Sequence, residues 1–325
     1  MNKTGKPIWR DGFLLSMVTA VLLASLHPDA GRSGGQLHID AIIDYGIAAV
    51  FFLHGMGIPG EQLRAGLARW PLHLMVQGFT FGVFPLLGLI LHAMAGAWLP
   101  PYLMLGFFYL CALPSTISSS VAMTGAARGN VPAAVFNATL SSLLGIVLTP
   151  LLITLVADTS GASLPLRDAI IDIARLLLLP FLCGQLLHHR LGRWFARYKP
   201  WTNVFDKAVI VLLVYTSFCD SVAAGLWRDY GAGLLLTTLG LAALLLAVAL
   251  MLTWRVARLA GLPVEDEIVA VFCGSKKTLA SGVPMAKVLF GSHPGLGLIV
   301  LPIMFYHQLQ LLVAAVLAER YARRA

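Results

Sequence analysis

Two adjacent lysines, Lys276 and Lys277, stand in the middle of a long and otherwise mostly apolar stretch. A lysine at the centre of a membrane helix costs about 2.5–3.5 kcal/mol on insertion scales, and neither is near enough to a span end to snorkel out. Neighbouring side chains on a helix point about 100° apart, so at least one of the pair faces inward. Two roles are open to such an ammonium. It can neutralise an anionic substrate, or it can occupy a cation site permanently as a tethered charge. Gly274, Ser275 and Thr278 flank the pair, and Gly282 and Pro284 follow closely.

A second stretch carries Pro114 followed at once by Ser115, Thr116, Ser118, Ser119 and Ser120. Proline lacks an N–H and clashes with the preceding turn. Hydroxyls can satisfy backbone groups freed by the break, and exposed carbonyls can bind a cation. One such helix alone reads most simply as a kink with locally satisfied hydroxyls. Further polar residues sit in apolar surroundings: Asn137, Thr139, Ser141 and Ser142 in one run, Gln77 and Thr80 in another, His307 and Gln308 in a third. Asn137 and Ser141 share a helix face. Taken singly, each of these is more often packing or interhelical glue than ligand.

The elements that must position these residues are membrane helices. Of 325 residues 58% are hydrophobic and 12% charged, about half the charge of a soluble domain, and mean hydropathy is +0.82. The net charge of +8 lies between apolar segments, so it points to the membrane surface and not to nucleic acid. Cys111, Cys183, Cys219 and Cys273 lie in apolar runs without metal-ligand spacing and read as buried thiols. Residues 1–26 resemble a signal peptide, but no clean cleavage site follows and the topology needs this helix.

At roughly 20 apolar residues per crossing, ten spans are expected, at about 12–28, 38–58, 71–95, 101–127, 131–156, 168–188, 203–224, 231–254, 264–290 and 294–318. With the N-terminus inside, the inner segments hold fifteen Lys and Arg (Lys3, Lys6, Arg10, Arg64, Arg69, Arg128, Arg190, Arg193, Arg197, Lys199, Arg255, Arg258, Arg320, Arg323, Arg324) and the outer ones three (Arg32, Arg167, Arg228). That bias places both termini in the cytoplasm and the protein in a cell (inner) membrane.

The two halves match at an offset of 162 positions. CALPSTISSSVAM (Cys111 to Met123) lies over CGSKKTLASGVPM (Cys273 to Met285) without a gap, with five of 13 positions identical, where composition predicts about one. Asp44 likewise falls on Asp206. Five helices per repeat is odd, so the second repeat enters from the opposite face. Inverted repeats put a binding site at the repeat interface near the midplane. Two breaks at equivalent positions therefore favour a site over two independent kinks.

With these residues assembled, the chain resembles the bile acid:sodium symporter superfamily, and within it the bacterial branch related to the seventh member of the human bile-acid carrier family. The resemblance runs over nearly the whole chain. It is most specific in LPSTISSSVAMTGAARGN (Leu113 to Asn130), FNATLSSLLGIVLTP (Phe136 to Pro150) and FCGSKKTLASGVPMAKVLF (Phe272 to Phe290). It implies an all-α membrane protein of ten helices in two inverted five-helix repeats (residues 1–157 and 168–325), with spans four and nine discontinuous and crossing. It also implies a core domain of spans 3–5 and 8–10 and a panel domain of spans 1, 2, 6 and 7. In the better-known carriers two sodium ions bind at the crossing, through a Ser-Asn pair in span four, where Ser119 and Ser120 stand here. Span-five polar groups contribute, matched by Asn137, Thr139, Ser141 and Ser142, as does a span-three glutamine, replaced here by Thr80 with Gln77 nearby. The family glutamate of span nine aligns with Val271, and Ser275 and Lys276 take its Gln-Asn positions. The bridging carboxylate is gone and positive charge has arrived, which repels a free cation.

Three functions compete. The first is a secondary transporter of an organic anion, bile-acid-like or another amphipathic carboxylate or sulfate. It is driven by sodium, or is sodium-independent with a span-nine lysine replacing a cation. The second is a membrane regulatory protein that transports nothing. The third, an intramembrane enzyme, finds no HExxH, GxSxG or Walker pattern in support. No cofactor is expected beyond Na+ as a possible coupling ion; the expected partners are the bilayer and a small organic anion, and the oligomeric state stays open. GFTFG (Gly78 to Gly82) reads as a small-xxx-small motif implying close helix contact.

Overall fold

A computed structural model describes residues 12–32, 39–57, 69–157, 171, 174–223, 231–291 and 295–324. Every regular element among them is helical: α1 (Gly12–Leu26), the single turn α2 (Pro28–Gly31), α3 (Ile39–Met56), α4 (Trp70–Gly78), a π-helical turn (Phe79–Val83) leading into α5 (Phe84–Ala95), α6 (Pro101–Ala112), α7 (Ser118–Ala126), α8 (Val131–Ala157), a second π-helical turn (Ala174–Leu178) leading into α9 (Leu179–Ala223), α10 (Ala232–Leu259), α11 (Val264–Gly274), α12 (Leu279–Phe290) and α13 (Leu296–Ala322). Among the described residues five stretches are long and apolar enough to cross a membrane: Trp70–Ala95, Val131–Val156, Pro200–Ala223, Ala232–Leu259 and Leu296–Ala322. Shorter apolar helices, Leu15–Leu26, Ala41–Met56, Pro101–Ala112 and Arg175–His188, fall where spans one, two, four and six are expected. The expected inter-repeat connection, residues 158–167, lies outside the described residues, as do Lys3, Lys6, Arg10, Arg64, Arg167 and Arg228.

The sequence places a connection at 189–202, between spans six and seven, and the apolar stretches do end at His188 and resume at Pro200, but the connecting residues are themselves helical, within one run from Leu179 to Ala223. Arg190, Leu191, Arg193, Ala196, Arg197 and Lys199 are good helix formers within that segment. The run still reverses direction. Gly184 abuts Phe52 and His188 Nδ1 lies 2.6 Å from the Met56 carbonyl, so this part follows α3 in parallel. Asp206 then meets His54 at 3.6 Å and Val209 meets Gly46, so the later part runs antiparallel to α3. The turn falls between His188 and Asp206, where Pro200 removes a donor from the helical ladder.

Helices α1 and α3 pack on α9, while α4–α8 and α10–α13 pack mainly among themselves; α9 also touches α12 and α13. The α3–α9 contact is backbone-close: a Cβ on Gly55 would collide with the Phe181 carbonyl, and one on Gly184 with the Phe52 carbonyl. The GFTFG motif does not behave this way. Gly78 and Gly82 face open space, with nothing within 4 Å of an added Cβ. Cys183 is also exposed, contrary to its reading as a buried thiol, whereas Cys111, Cys219 and Cys273 are buried.

At one end of the bundle, basic residues from several connections assigned to one face come together. Arg69 lies 3.5 Å from Asp266, Arg258 3.2 Å from Glu267, and Arg324 3.1 Å from Glu265. Arg324 also donates to the carbonyls of Ala127 and Arg128, both at 2.7 Å, tying α13 to the end of α7. The three acidic residues occupy the first turn of α11, where the helix dipole favours negative charge.

Two pairs of helix boundaries recur at an offset of 162. Helices α4 and α10 begin at Trp70 and Ala232, and α6 and α11 end at Ala112 and Gly274, each pair 162 positions apart.

Candidate functional site

Helix α6 stops at Ala112 because Pro114 has no N–H for the Leu110 carbonyl and Leu113 turns extended (φ −68°, ψ 151°). Helix α11 stops at Gly274, and Thr278, with ψ 124°, starts α12 by capping the Ser281 N–H at 3.4 Å. The two breaks touch: the Thr278 N–H donates to the Pro114 carbonyl at 3.0 Å.

A helix ending in a buried interior leaves carbonyls without partners, and here each broken helix supplies partners to the other. Ser115 Oγ donates to Cys273 O at 2.7 Å and Ser120 Oγ to Phe272 O at 3.1 Å, closing the end of α11. Tyr306 of α13 adds a bond to Ser275 O at 2.6 Å, and Ser275 Oγ turns back to Val271 O at 2.6 Å. At the end of α6, Ala112 O accepts from Thr149 Oγ1 of α8 at 2.8 Å. The Ser115 N–H, which would have served Cys111 O in a continuous helix, goes to Ser141 Oγ at 2.9 Å.

That diversion leaves Cys111 O for Lys277, and the extended Leu113 offers a second carbonyl just beyond the helix. Its Nζ lies 2.8 Å from Cys111 O, 2.7 Å from Leu113 O and 2.9 Å from Thr80 O. Thr80 O is free for a reason written in the sequence. In the π turn the Phe84 N–H bonds Phe79 O, so Thr80 O loses its usual donor, and the next residue in line, Pro85, has none. Three acceptor-only partners require three N–H groups, which the ammonium has. The Phe84 ring sits below it, 4.1 Å from Nζ to the centroid. Lys277 is 0% exposed.

Lys276 is equally buried but differently used. Its Nζ makes one hydrogen bond, to Ser119 O at 3.0 Å, and stands 5.3 Å from the Phe272 ring centroid. Among the described residues, the hydrogen-bond partners of both ammonium groups are backbone carbonyls, and no ion pair reaches either.

Of the residues singled out in the sequence, Pro114, Ser115, Thr116, Ser119, Ser120, Gly274, Ser275, Lys276, Lys277, Thr278 and Ser141 come together at this crossing. Thr116 Oγ1 lies 2.7 Å from Ser119 Oγ and 2.9 Å from Ser120 Oγ. Thr80 takes part through its carbonyl; its hydroxyl bonds Val76 O at 2.8 Å. Gln77 Nε2 donates to Asn137, at 3.1 Å to O and 3.3 Å to Oδ1, which links α4 to α8. Ser142 bonds its own helix at Ala138 O, 3.0 Å away. Among the described residues, Thr139 Oγ1 and Gln308 Nε2 are buried without a partner.

Gln310 was not singled out, yet it is the glutamine that serves the break. Its Oε1 accepts the Lys277 N–H at 2.8 Å and its Nε2 donates to Lys277 O at 2.7 Å. Thr149 and Tyr306 were missed in the same way. Thr149 is a lone hydroxyl in its stretch of α8, whereas Tyr306 and Gln310 flank His307 and Gln308 on α13, and only the folded arrangement shows which polar group meets a broken backbone.

The crossing offers a free cation carbonyl and hydroxyl oxygens, but the position aligned with the family carboxylate is Val271, buried and apolar. An ammonium already fills the cluster of Thr80, Cys111 and Leu113 carbonyls. These residues do not fit a sodium ion at the Lys277 position.

The sequence profile of the SBF-like CPA transporter family matches residues 11–323. An uncharacterized protein of Pseudomonas aeruginosa is 47% identical over 314 residues, 97% of this chain and 93% of that protein. YfeH of Escherichia coli K12, named provisionally as a symporter, is 43% identical over the same shares of each chain. The rat protein named sodium/bile acid cotransporter 7 is 30% identical over 311 residues, 95% of this chain and 91% of its own.

Proposed function

Because the chain belongs to the SBF-like CPA transporter family, whose named relatives are transporters and not enzymes, and is thus a multi-pass membrane transporter of a small molecule, we propose that it is a secondary active transporter of an organic anion. Alternating access turns on the crossing of the two broken helices. The proposed topology has ten spans in two inverted five-helix repeats, with both termini cytoplasmic in the inner membrane. Helix starts and stops that recur at one offset support the repeat. The packing of α1, α3 and α9 apart from most of the remaining helices supports a panel and a core.

The observation that carries this reading is the mutual satisfaction of the two breaks. Backbone exposed at depth within a membrane protein occurs where it is buried in protein or lines a cavity, and interrupted helices of that kind form transporter sites. A helix pair needed only for packing would stay continuous. The substrate class follows from the charge at the crossing: two ammonium groups and, among the described residues, no carboxylate bonded to either.

Sodium enters from the names of the bile acid cotransporters. The sodium-independent form is the one the lysine-filled carbonyl cluster favours. The test is uptake of a labelled amphipathic carboxylate or sulfate, such as taurocholate, by protein in liposomes, with sodium or N-methylglucamine outside. Saturable flux that is indifferent to sodium, and lost or slowed in Lys276→Gln or Lys277→Gln, is expected. Absence of flux for a panel of organic anions overturns the transporter reading in favour of a regulatory protein. Sodium-driven flux unchanged in both variants overturns the role given to the lysines.

A further inference from the structure

The three oxygens around Lys277 Nζ come from three unrelated devices: a π turn ahead of a proline, the last turn of α6, and an extended residue beyond it. None would be available in a regular helix. Converging carbonyl oxygens are the donor chemistry that replaces the hydration shell of a hard monovalent cation, and the carboxyl end of α6 adds its negative dipole end. We propose that this is a cation-binding site built in the backbone and occupied by the chain's own side chain. Lys277 is an intramolecular cation, and trimming it to a small residue turns the cluster into a site for a free monovalent cation.

The cluster needs a positive occupant. Each buried carbonyl left without a donor loses a hydrogen bond that water does not replace, and here three would be orphaned together. A neutral occupant of lysine's length fills the space and satisfies none of them. A short side chain leaves room for a cation small enough to take all three oxygens. The side-chain tether also explains how an ammonium is held at this depth with no acid beside it: its full complement of three donors is used on backbone. Lys276, with one such bond, is not saturated in this way. The inference deepens the sodium-independent reading above. Its test, however, reads folded protein and needs no substrate, so it can stand or fall apart from transport.

The experiment compares thermal unfolding of wild type, Lys277→Ala and Lys277→Met in detergent, at constant ionic strength, in sodium, potassium, methylammonium or N-methylglucamine chloride. Wild type is expected to unfold at one temperature in all four salts. Lys277→Ala is expected to unfold earlier in N-methylglucamine, and to recover by on the order of 5 °C in at least one of the three small cations, as a ligand bound only to the native state requires. Lys277→Met is expected to be destabilised and indifferent to the salt. The inference is overturned if sodium selectively raises the unfolding temperature of wild type. It is also overturned if no cation stabilises Lys277→Ala, if that variant cannot be recovered folded in any of the salts, or if Lys277→Met responds to cations as Lys277→Ala does.

Discussion

Gln310 grips the backbone of Lys277 with both ends of its amide, accepting from the Lys277 N–H at 2.8 Å and donating to the Lys277 carbonyl at 2.7 Å. The side chain of α13 thereby does for one residue of the broken span what a neighbouring helical turn does for an intact one. It also draws His307 Nδ1 to 3.0 Å from its nitrogen. The lysine is thus held twice, by its backbone on α13 and by its ammonium on α4–α6.

Replacing Gln310 with leucine keeps the volume and removes both bonds. Two buried backbone groups are then unpaired at about 1–3 kcal/mol each, so a loss of about 2–6 kcal/mol is expected. It would be seen as a clear drop in unfolding temperature of the detergent-solubilised protein. Gln308→Leu is the comparison. Its amide nitrogen is buried without a partner among the described residues, so its removal is expected to be neutral or stabilising. Equal destabilisation by the two substitutions would show that the clasp contributes nothing particular.

That contrast also marks where sequence reasoning stops. The breaks themselves were legible, because Pro114 and the Gly274–Lys277 cluster cannot continue a helix at low cost in a membrane, and the repeat put them at equivalent positions. Which polar residue serves a break was not. Gln308 and Gln310 lie two positions apart, on nearly opposite faces of α13, and an apolar helix without a strong periodic pattern does not say which face meets the crossing. Thr80 was singled out as the residue standing at the family glutamine's position, yet it contributes its carbonyl. The signal was present in Pro85, five residues on, but it becomes readable only once the turn at Phe79–Val83 is known to be π-helical. The turn between spans six and seven was legible from its charges and falls where the sequence puts it; what the sequence did not show is that the segment stays helical through the turn.

Gly145 of α8 lies against the Pro114 ring. A Cβ there would stand 2.6 Å from Cγ and 2.7 Å from Cβ of the proline, and the ring has no rotamer in which to retreat. The gain in helix propensity from Gly145→Ala, up to about 1 kcal/mol, is outweighed by overpacking of about 1–3 kcal/mol. The displaced atoms belong to the break, so uptake should fall together with unfolding temperature. Gly125→Ala meets only Val131 Cγ2, at 3.5 Å, and should be tolerated. A Gly145→Ala protein as stable and as active as Gly125→Ala would show that the Pro114 ring is not pinned by α8.

Ser141 and Ser142 are adjacent in sequence and opposite in consequence. Ser141 Oγ is the acceptor for the Ser115 N–H at 2.9 Å, and by taking that donor it frees Cys111 O for Lys277. Ser142 Oγ only bonds back to Ala138 O in its own helix, a carbonyl that already has a helical partner. Ser141→Ala therefore leaves a buried N–H whose helical acceptor, Cys111 O, is already taken by Lys277, and is expected to cost about 1–3 kcal/mol. Ser142→Ala is expected to change stability by less than about 0.5 kcal/mol, as for substitutions away from such features. Once the Ser141 acceptor is lost, the Ser115 N–H is left to compete with Lys277 for Cys111 O. The Ser141→Ala loss should therefore be smaller in a Lys277→Met background than in wild type, and a double-mutant cycle over the unfolding free energies measures the difference. Additive losses would mean that the serine and the lysine act independently, and that the cluster around Nζ is not assembled by the diversion of the Ser115 N–H.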